Sequence, residues 1–279
     1  MIISASYRSD IPAFHGAWFR DRLRMGHVDV PNPYGARPYR VSLRPDDVDA
    51  FVFWTRNTRP FRDGLGAARA VAPFMVTYTV TGYPAVLERG VPPVAHAVRE
   101  IAWLAATFGP RAVVWRYDPV LWTDLTSPAF HRQNFSWLAA QIAPHVDEVT
   151  FSAATLYAKS TRNLKRLAPD VVVEDPDDAA KRELLAELGQ IAVEHGLTPT
   201  LCSQPHLLAD PLRPAACIDV ARLSDIAGTR IGARQKGNRP GCACAESRDI
   251  GRYDSCAHGC AYCYAVRDHA KVVLETDSG

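Results

Sequence analysis

Three successive segments of the chain read FMVTYTVT (residues 74–81), AHAVREIAWLAATF (residues 95–108) and AVVWRY (residues 112–117). The first and third are typical of buried strands, and the second places apolar side chains at helical spacing before Gly109. A strand, a helix and a second strand in this order predict two parallel strands joined by a crossover helix.

The same alternation extends over most of the chain. Further strands are predicted at residues 2–6, 50–55, 148–152 and 198–202, and further helices at residues 130–142 and 179–195. Repeated strand–helix units favour a parallel sheet, built either as a barrel or as a doubly wound sheet. The 279 residues are sufficient for one α/β barrel, which needs about 200–250. We therefore predict a single α/β domain over residues 1–279, a partial or full parallel barrel of the TIM type.

Polar residues cluster where several predicted strands end. The clusters lie at residues 7–10, 55–57 and 116–118 and at Ser152. In parallel α/β folds, ligands and catalytic groups gather at the carboxyl ends of the strands. The sequence therefore predicts an active site at this edge, where Glu88, Arg116 and Asp118 are either substrate contacts or members of structural ion pairs.

Composition and charge exclude several classes of protein. Hydrophobic residues make up 47% and charged residues 22% of the chain, as in an ordinary globular protein. The net charge of +2 is far below that of a dedicated nucleic-acid-binding domain. No apolar run reaches the roughly 18 residues of a membrane span, and the first residues do not resemble a signal peptide. We therefore expect a cytoplasmic protein with no membrane partner.

Five of the seven cysteines lie within a stretch of 22 residues near the carboxyl end. In a reducing cytoplasm, clustered cysteines bind metal or carry out redox chemistry more often than they form disulfides. Cys256, Cys260 and Cys263 follow the pattern C-x3-C-x2-C, and three such thiolates can bind three irons of a [4Fe–4S] cubane. The fourth iron would then be open. Cys202 and Cys217 lie apart from this stretch and are expected to be buried packing residues.

Three interpretations of the clustered cysteines compete. A structural zinc site would combine Cys242 and Cys244 with two later cysteines, although only Cys260 and Cys263 have the spacing of a zinc knuckle. A closed iron–sulfur cluster would take its fourth ligand from Cys242 or Cys244. An open cluster would leave one iron free to bind S-adenosylmethionine.

The cysteine pattern resembles that of radical S-adenosylmethionine enzymes. Residues 254–265 (DSCAHGCAYCYA), here called the cluster loop, are most similar to the spore photoproduct lyase branch, in which tyrosines also flank the last cysteine. Over its whole length the chain resembles the bacterial family catalogued as domain of unknown function 1848 (DUF1848). The matching stretches are residues 3–12 (ISASYRSDIP), 53–57 (FWTRN), 115–119 (WRYDP) and 247–251 (SRDIG), followed by the cluster loop.

The position of the cluster loop implies a circular permutation. In radical S-adenosylmethionine enzymes this loop follows the first barrel strand, whereas here it lies near the carboxyl end. The resemblance therefore implies a circularly permuted barrel, a change that proteins tolerate when their termini lie close together. Residues 230–279 would form the cluster-binding segment, residues 264–274 the first barrel helix, and residues 2–6 the second strand.

The resemblance also implies roles for residues that follow the strands. Residues 6–10 are similar to a lyase segment that reads Ser-Cys-Thr-Ser-Asp. Residues 53–56 (FWTR) are similar to a lyase segment that reads Phe-Val-Thr-Lys. On these matches, Ser9, Arg56 and Thr77 line the S-adenosylmethionine site. Tyr7 takes the place of the hydrogen-donating cysteine of the lyase, and a tyrosine hydroxyl is a poorer hydrogen donor than a thiol.

Roles are also predicted for other residues around the cluster. Tyr262 is predicted to contact the bound cofactor, and Tyr264 to take part in radical transfer. Cys242 and Cys244 are expected to fold over the same site, as a hydrogen donor or protector of the cluster, unless one of them is the fourth ligand. His258 is expected to fill the loop rather than to bind metal.

We therefore predict a radical S-adenosylmethionine enzyme whose cofactors are a [4Fe–4S] cluster and S-adenosylmethionine, which together generate a 5′-deoxyadenosyl radical. The expected partners are an electron donor such as ferredoxin or flavodoxin, and a substrate. By analogy with the lyase the substrate is a nucleic-acid lesion or nucleobase, and a small molecule is the other possibility. The alternative function is that of a non-catalytic iron–sulfur or zinc-binding protein with a structural, sensing or electron-transfer role.

Overall fold

A large parallel sheet forms the centre of the structure. The computed structural model describes residues 1–31, 35, 37–237 and 239–274. Their strands are β1 (Ile2–Ala5), β2 (His27–Val30), β3 (Tyr39–Ser42), β4 (Ala50–Thr55), β5 (Phe74–Thr79), β6 (Val113–Val120), β7 (Glu148–Ala153), β8 (Thr198–Leu201), β9 (Arg213–Pro214) and β10 (Ser247–Asp249). β2 and β3 form an antiparallel hairpin. The other eight strands form one parallel sheet in the order β10-β1-β4-β5-β6-β7-β8-β9.

Helices connect most of these strands. They are α1 (Ile11–Phe14), α2 (Gly16–Met25), α3 (Arg62–Val71), α4 (Val94–Phe108), α5 (Pro128–Ile142), α6 (Ala158–Leu167), α7 (Asp178–Glu194) and α8 (Val220–Ala227). Short 3-10 turns occur at Arg59–Phe61, Pro110–Ala112, Ala143–His145, Pro205–Leu207 and His269–Lys271. The six predicted strands and the three predicted helices, now α4, α5 and α7, are confirmed. None of the helices described here combines the length and apolar character that a membrane crossing requires.

Both faces of the sheet are buried. Side chains alternate between the two faces along a strand, so Phe51 and Phe53 of β4 pack on one side with Leu65 of α3. Val52, between them, packs on the other side with Leu223 of α8. Each face therefore has its own apolar cluster, as expected for a parallel sheet covered on both sides.

The strand order places β10, the last strand of the described residues, beside β1. From β1 to β9 the strands of the sheet follow one another in chain order, while β10 pairs with β1, with Ser247 opposite Ile2. Among the described residues, β9 and β10 are the two edges of the sheet, so a closed barrel is not observed. The predicted α/β class with a parallel sheet is confirmed, and the full barrel is not.

The helix predicted over residues 264–274 is wrong. Apart from the short turn at His269–Lys271, the described part of this segment is not helical. Two of its backbone groups pair instead with side chains from other parts of the chain. Asn163 Nδ2 donates to the carbonyl oxygen of Val266 at 2.7 Å, and the N–H of Arg267 donates to Asp254 Oδ1 at 2.6 Å. Tertiary hydrogen bonds thus replace the helical ones. Residue 238 and residues 275–279 of the predicted cluster-binding segment lie outside the described residues.

A candidate active site lined by seven cysteines

A cavity of about 440 Å³ lies where the strands of the sheet end. Residues that follow β1, β4, β7 and β8, and residues within β6, line it together with the C-terminal segment, and all seven cysteines contribute to its wall. The predicted site residues that line it are Tyr7, Ser9, Arg56, Cys242, Cys244, Cys256, Cys260, Tyr262, Cys263 and Tyr264. The strand ends and the C-terminal segment, distant in sequence, thus meet at one site, at the edge of the sheet where a site was predicted.

Thr77 is the exception among the predicted site residues. Its side chain is buried in the sheet, and its hydroxyl donates to the carbonyl oxygen of Phe53 at 3.2 Å. The described lining of the cavity includes Thr79 and not Thr77. Because side chains two residues apart point to the same face, the threonine nearer the carboxyl end of β5 is the one that reaches the cavity. The position of Thr77 does not support the cofactor-binding role predicted for it.

Asp249 ties the end of β10 to the end of β1. Its carboxylate accepts hydrogen bonds from the hydroxyls of Ser4 (2.9 Å) and Ser6 (2.8 Å) and from the N–H of Tyr7 (3.1 Å). Burial raises the pKa of Asp249, and the bond from Ser6 and the charge of Arg8 oppose that rise. Sequence reasoning missed Asp249, although it lies within one of the matching stretches. Its bonds hold Tyr7 beside β10, the strand that precedes the cluster loop.

The cluster loop is attached to the loop that follows β5. His258 Nε2 lies 2.7 Å from Asp10 Oδ2, and His258 Nδ1 lies 3.2 Å from the carbonyl oxygen of Gly90. The N–H of Gly90 donates to the carbonyl oxygen of His258 at 2.7 Å, and the N–H of Ala261 donates to that of Leu87 at 2.8 Å. Both ring nitrogens of His258 face acceptors, so this residue holds the loop in place, in agreement with its expected role.

Arg56 forms a buried ion pair with Glu88 next to the cluster loop. Arg56 Nη1 lies 3.0 Å from Glu88 Oε1, and Arg56 Nη2 donates to the hydroxyl of Tyr262 at 2.7 Å. Glu88 also accepts bonds from the hydroxyls of Thr81, at 2.6 Å, and of Tyr262. Arg56 and Tyr262, both predicted to contact the cofactor, therefore have protein partners. The guanidinium of Arg56 also opposes the burial that raises the pKa of Cys260.

The three cysteines of the cluster loop are chemically suited to a metal cluster. Burial raises the pKa of Cys260 to about 12, and it also raises those of Cys256 and Cys263. Negative charge on one of these sulfurs raises the pKa of its neighbours as well. Without a cation the three groups are neutral thiols near pH 7, whereas a metal centre would stabilise them as thiolates.

The described residues contain no group of three His, Cys, Asp or Glu side chains arranged around the position of a single metal ion. A cubane does not require such a group, because its thiolates bind different irons.

The other four cysteines, here called the four-cysteine group, meet in another part of the wall. Cys217 Sγ lies 3.6 Å from Cys202 Sγ, and the thiol of Cys244 interacts with those of Cys217 and Cys242. Cys202 and Cys217 are buried, as expected, yet they also line the cavity. Sequence reasoning missed this contact, because Cys202 and Cys217 belong to a stretch with no recognisable ligand spacing.

Aromatic side chains form a further part of the wall. Tyr7 and Trp54 pack edge to face with ring centroids 6.4 Å apart. The hydroxyl of Tyr264 donates to the carbonyl oxygen of Tyr7 at 3.3 Å, and its ring lies 6.0 Å from that of Tyr157. Tyr7 and Tyr264, the two tyrosines predicted to be catalytic, are thus in contact with each other.

Arg116 and Asp118 form an ion pair that faces the same cavity. Arg116 Nη2 lies 2.5 Å from Asp118 Oδ2, and the hydroxyl of Ser152 donates to the same carboxylate. Although burial alone would raise the pKa of Asp118, the charge of Arg116 and the bond from Ser152 hold it below its usual value. The pair is therefore charged, and it is placed where a polar group of a ligand could reach it.

A comparison with family models matches residues 2–265 to the family described as domain of unknown function (DUF1848). The chain belongs to this family. The match includes every strand of the sheet and the whole cluster loop, which confirms the family assignment made from the matching stretches. A search of curated proteins finds no match for this member of the DUF1848 family.

Proposed function

We propose that the chain is a radical S-adenosylmethionine enzyme that binds one [4Fe–4S] cluster through Cys256, Cys260 and Cys263. The observation that carries the proposal is the placement of these three thiols in the wall of a large cavity at the ends of parallel strands. A [4Fe–4S] cluster with S-adenosylmethionine at its open iron supplies a 5′-deoxyadenosyl radical after one-electron reduction. The electron would come from a donor such as ferredoxin or flavodoxin.

The strand order supports a partial barrel that is circularly permuted. In radical S-adenosylmethionine enzymes the cluster loop follows the first barrel strand. Here the cluster loop follows β10, and β10 pairs with β1. If β10 is counted as the first strand, then β1 and β4–β9 follow it in order across the sheet, and the cluster loop has its usual place.

Residues of this chain position the loop and supply charge to it. Asp249 holds β10 against β1, and Asp10, through His258, holds the cluster loop beside the end of β1. Arg56 places a positive charge next to Cys256 and Cys260 and so offsets the negative charge of their thiolates. This charge is the role that we assign to Arg56 in place of a direct cofactor contact.

Ser9 and the aromatic wall form the side of the cavity nearest β1. The hydroxyl of Ser255, in the cluster loop, donates to that of Ser9 at 2.8 Å, so Ser9 borders the loop. Tyr7, Trp54 and Tyr264 offer ring faces and edges to an adenine or to an aromatic substrate. Tyr7 and Tyr264 are our candidates for hydrogen or radical transfer.

The substrate is proposed to contact Arg116 and Asp118, which provide a charged pair in the cavity wall. A nucleobase or a small polar molecule would suit such a site. The net charge of +2 does not favour tight binding of duplex DNA through phosphate contacts. Gel shifts with single- and double-stranded DNA in a salt titration test the hypothesis that the substrate is a nucleic acid. The absence of binding at low salt would contradict this hypothesis.

Anaerobic reconstitution tests the proposed function. The loaded protein is expected to be brown, to hold about four irons at the cluster loop, and to form 5′-deoxyadenosine when S-adenosylmethionine and dithionite are added. The variant Cys256→Ala/Cys260→Ala/Cys263→Ala should lose this activity and these irons. A fully loaded protein that forms no 5′-deoxyadenosine above background would favour a non-catalytic iron–sulfur protein, and a colourless zinc protein would favour a structural role.

A further inference from the structure

The four-cysteine group is assembled from three separate parts of the chain. Cys202 follows β8, Cys217 lies between β9 and α8, and Cys242 and Cys244 precede β10. The sulfurs of Cys202 and Cys217 are 3.6 Å apart, and Cys244 interacts with both Cys217 and Cys242. The relative exposures are only 6% for Cys202, 5% for Cys217 and 4% for Cys244. Thiols from three distant segments are thus neighbours in the wall of the cavity, and three of the four are buried.

Three of these sulfurs also accept hydrogen bonds from N–H groups. Arg116 Nη1 donates to Cys217 Sγ at 2.8 Å, and the N–H of Ile218 donates to Cys244 Sγ at 3.4 Å. Arg239 Nη2 donates to Cys202 Sγ at 3.5 Å. A neutral thiol is a weak acceptor, whereas a thiolate is a strong one. Two guanidinium groups therefore lie where they would stabilise these sulfurs as thiolates once a metal binds.

Apolar packing alone does not account for this arrangement. Cysteines that serve only as small apolar residues have no need of charged donors, and Arg116 is already paired with Asp118. Four thiolates with a divalent metal ion would carry two negative charges. Arg116 and Arg239 lie where they would balance part of that charge.

We propose that Cys202, Cys217, Cys242 and Cys244 form a second metal site, which takes a soft metal centre as four thiolates. Thiolate ligands select Cu(I), zinc and iron–sulfur centres, and four of them in a tetrahedron are typical of a zinc ion or an iron centre. Metal–sulfur bonds of about 2.3 Å in a tetrahedron place the sulfurs about 3.8 Å apart. The Cys202–Cys217 separation of 3.6 Å already matches one edge.

Metal binding must bring the sulfurs of Cys242 and Cys244 closer to those of Cys202 and Cys217, because the four side chains, as the structure describes them, are not arranged around one position. Cys242 is the most exposed of the four, and it is the ligand that we expect to move. With four protein ligands the site is closed, as in structural metal sites. It would fasten the segment before β10 to the sheet, and Cys242 and Cys244 would then be metal ligands instead of hydrogen donors to a substrate.

This proposal does not depend on the cluster loop, so the two sites can be tested apart. The test uses the full chain with Cys256→Ala/Cys260→Ala/Cys263→Ala, purified without oxygen and analysed for metal. One zinc ion or one iron centre per chain is expected, and the X-ray absorption edge and fine structure identify the metal and count its sulfur ligands. Adding Cys217→Ser and Cys244→Ser should abolish this metal.

The reciprocal variant is the matched control. Cys242→Ala/Cys244→Ala with an intact cluster loop should keep the irons of that loop and lose the second centre. If it instead loses the loop cluster and keeps a second metal, the assignment of ligands is overturned. Circular dichroism of each variant shows whether it has folded.

The unmodified protein provides a test that no folding defect can obscure. Iodoacetamide should label Cys242, the most exposed of the four, only after a chelator has removed the metal, and mass spectrometry separates its peptide from that of the cluster loop. Equal labelling with and without zinc, together with no metal in the loop variant, would overturn the proposal. A Cys202–Cys217 disulfide in protein trapped rapidly from cells would also overturn it.

Discussion

Single side chains with several partners hold the candidate site together. Asp10 is an example: its Oδ1 accepts from the N–H of Ala13 at 2.9 Å, and its Oδ2 accepts from the N–H of Arg56 at 2.8 Å and faces His258. The sequence placed Asp10 in a polar strand end without indicating these partners. They come from segments up to 248 residues apart, and no local pattern encodes such a distance.

We expect Asp10→Asn to loosen the cluster loop. An asparagine presents an NH₂ group where one carboxylate oxygen stood, so at least one of the donors loses its acceptor. The free energy of unfolding should fall by about 1–3 kcal/mol, and the loaded protein should release iron faster. The exposed Asp29, which pairs with Arg40, offers the control Asp29→Asn, with an expected cost below about 1 kcal/mol. Equal costs in urea unfolding for both variants would contradict this account.

The buried His131 is expected to make the free energy of unfolding depend on pH. Burial lowers the pKa of His131 to about 4, and its ring nitrogens contact the hydroxyl of Tyr117 at 2.9 Å and the carbonyl oxygen of Leu121 at 3.1 Å. As the pH falls below about 6.5, this histidine becomes protonated in the unfolded chain, whereas in the folded protein it stays neutral down to about pH 4. Stability is therefore lost as the pH falls, by about 2–3 kcal/mol between pH 7 and pH 4.5.

The variant His131→Gln should remove this part of the acid sensitivity. Urea unfolding at pH 7 and pH 4.5 measures it, as the difference between the two values for each protein. His206→Gln, at an exposed position, is the control and should behave like the parent. A His131→Gln variant as acid-sensitive as the parent would show that the histidine does not carry the effect.

At the scale of elements, regular patterns were predictable and irregular ones were not. The buried strands and the long helices α4, α5 and α7 have strong periodicity, and they were predicted nearly to their ends. α6 (AKSTRNLKRL) has few apolar residues and was missed, while the helix that the resemblance implied after Cys263 is absent because tertiary hydrogen bonds hold that segment in another conformation. Local pattern fixes an element only where no distant partner competes for its backbone.

The close contact between the cluster loop and the loop after β5 can be tested by a substitution at Gly90. A Cβ atom at Gly90 would lie 2.9 Å from the carbonyl oxygen of His258 and 3.1 Å from that of Ala257, both of which are backbone atoms. Gly90→Ala should push the cluster loop away, with a cost of about 1–3 kcal/mol and poorer iron retention. Gly66→Ala in α3, where a Cβ meets open space, should be neutral or stabilising by up to about 1 kcal/mol. Iron content after gel filtration compares the two, and equal retention would contradict the contact.

At the scale of the whole molecule, the parallel sheet brings the two ends of the chain to one cavity. The α/β class and the edge of the sheet that carries the site followed from the sequence, because strand ends can be read from local pattern. The convergence of all seven cysteines did not, since Cys202 and Cys217 gave no spacing signal. The DUF1848 match covers this whole arrangement, so the cavity belongs to the part of the chain that defines the family.

The central claim is a [4Fe–4S] cluster bound by three loop cysteines with its fourth iron open, and electron paramagnetic resonance tests it most directly. The anaerobically loaded, dithionite-reduced protein is measured with and without S-adenosylmethionine labelled with ¹⁵N at its amino group. We predict a shift in the g-values on addition, with hyperfine coupling to the ¹⁵N nucleus, both absent when Cys260→Ala replaces the parent. A fully loaded cluster whose spectrum is unchanged by S-adenosylmethionine would contradict the claim.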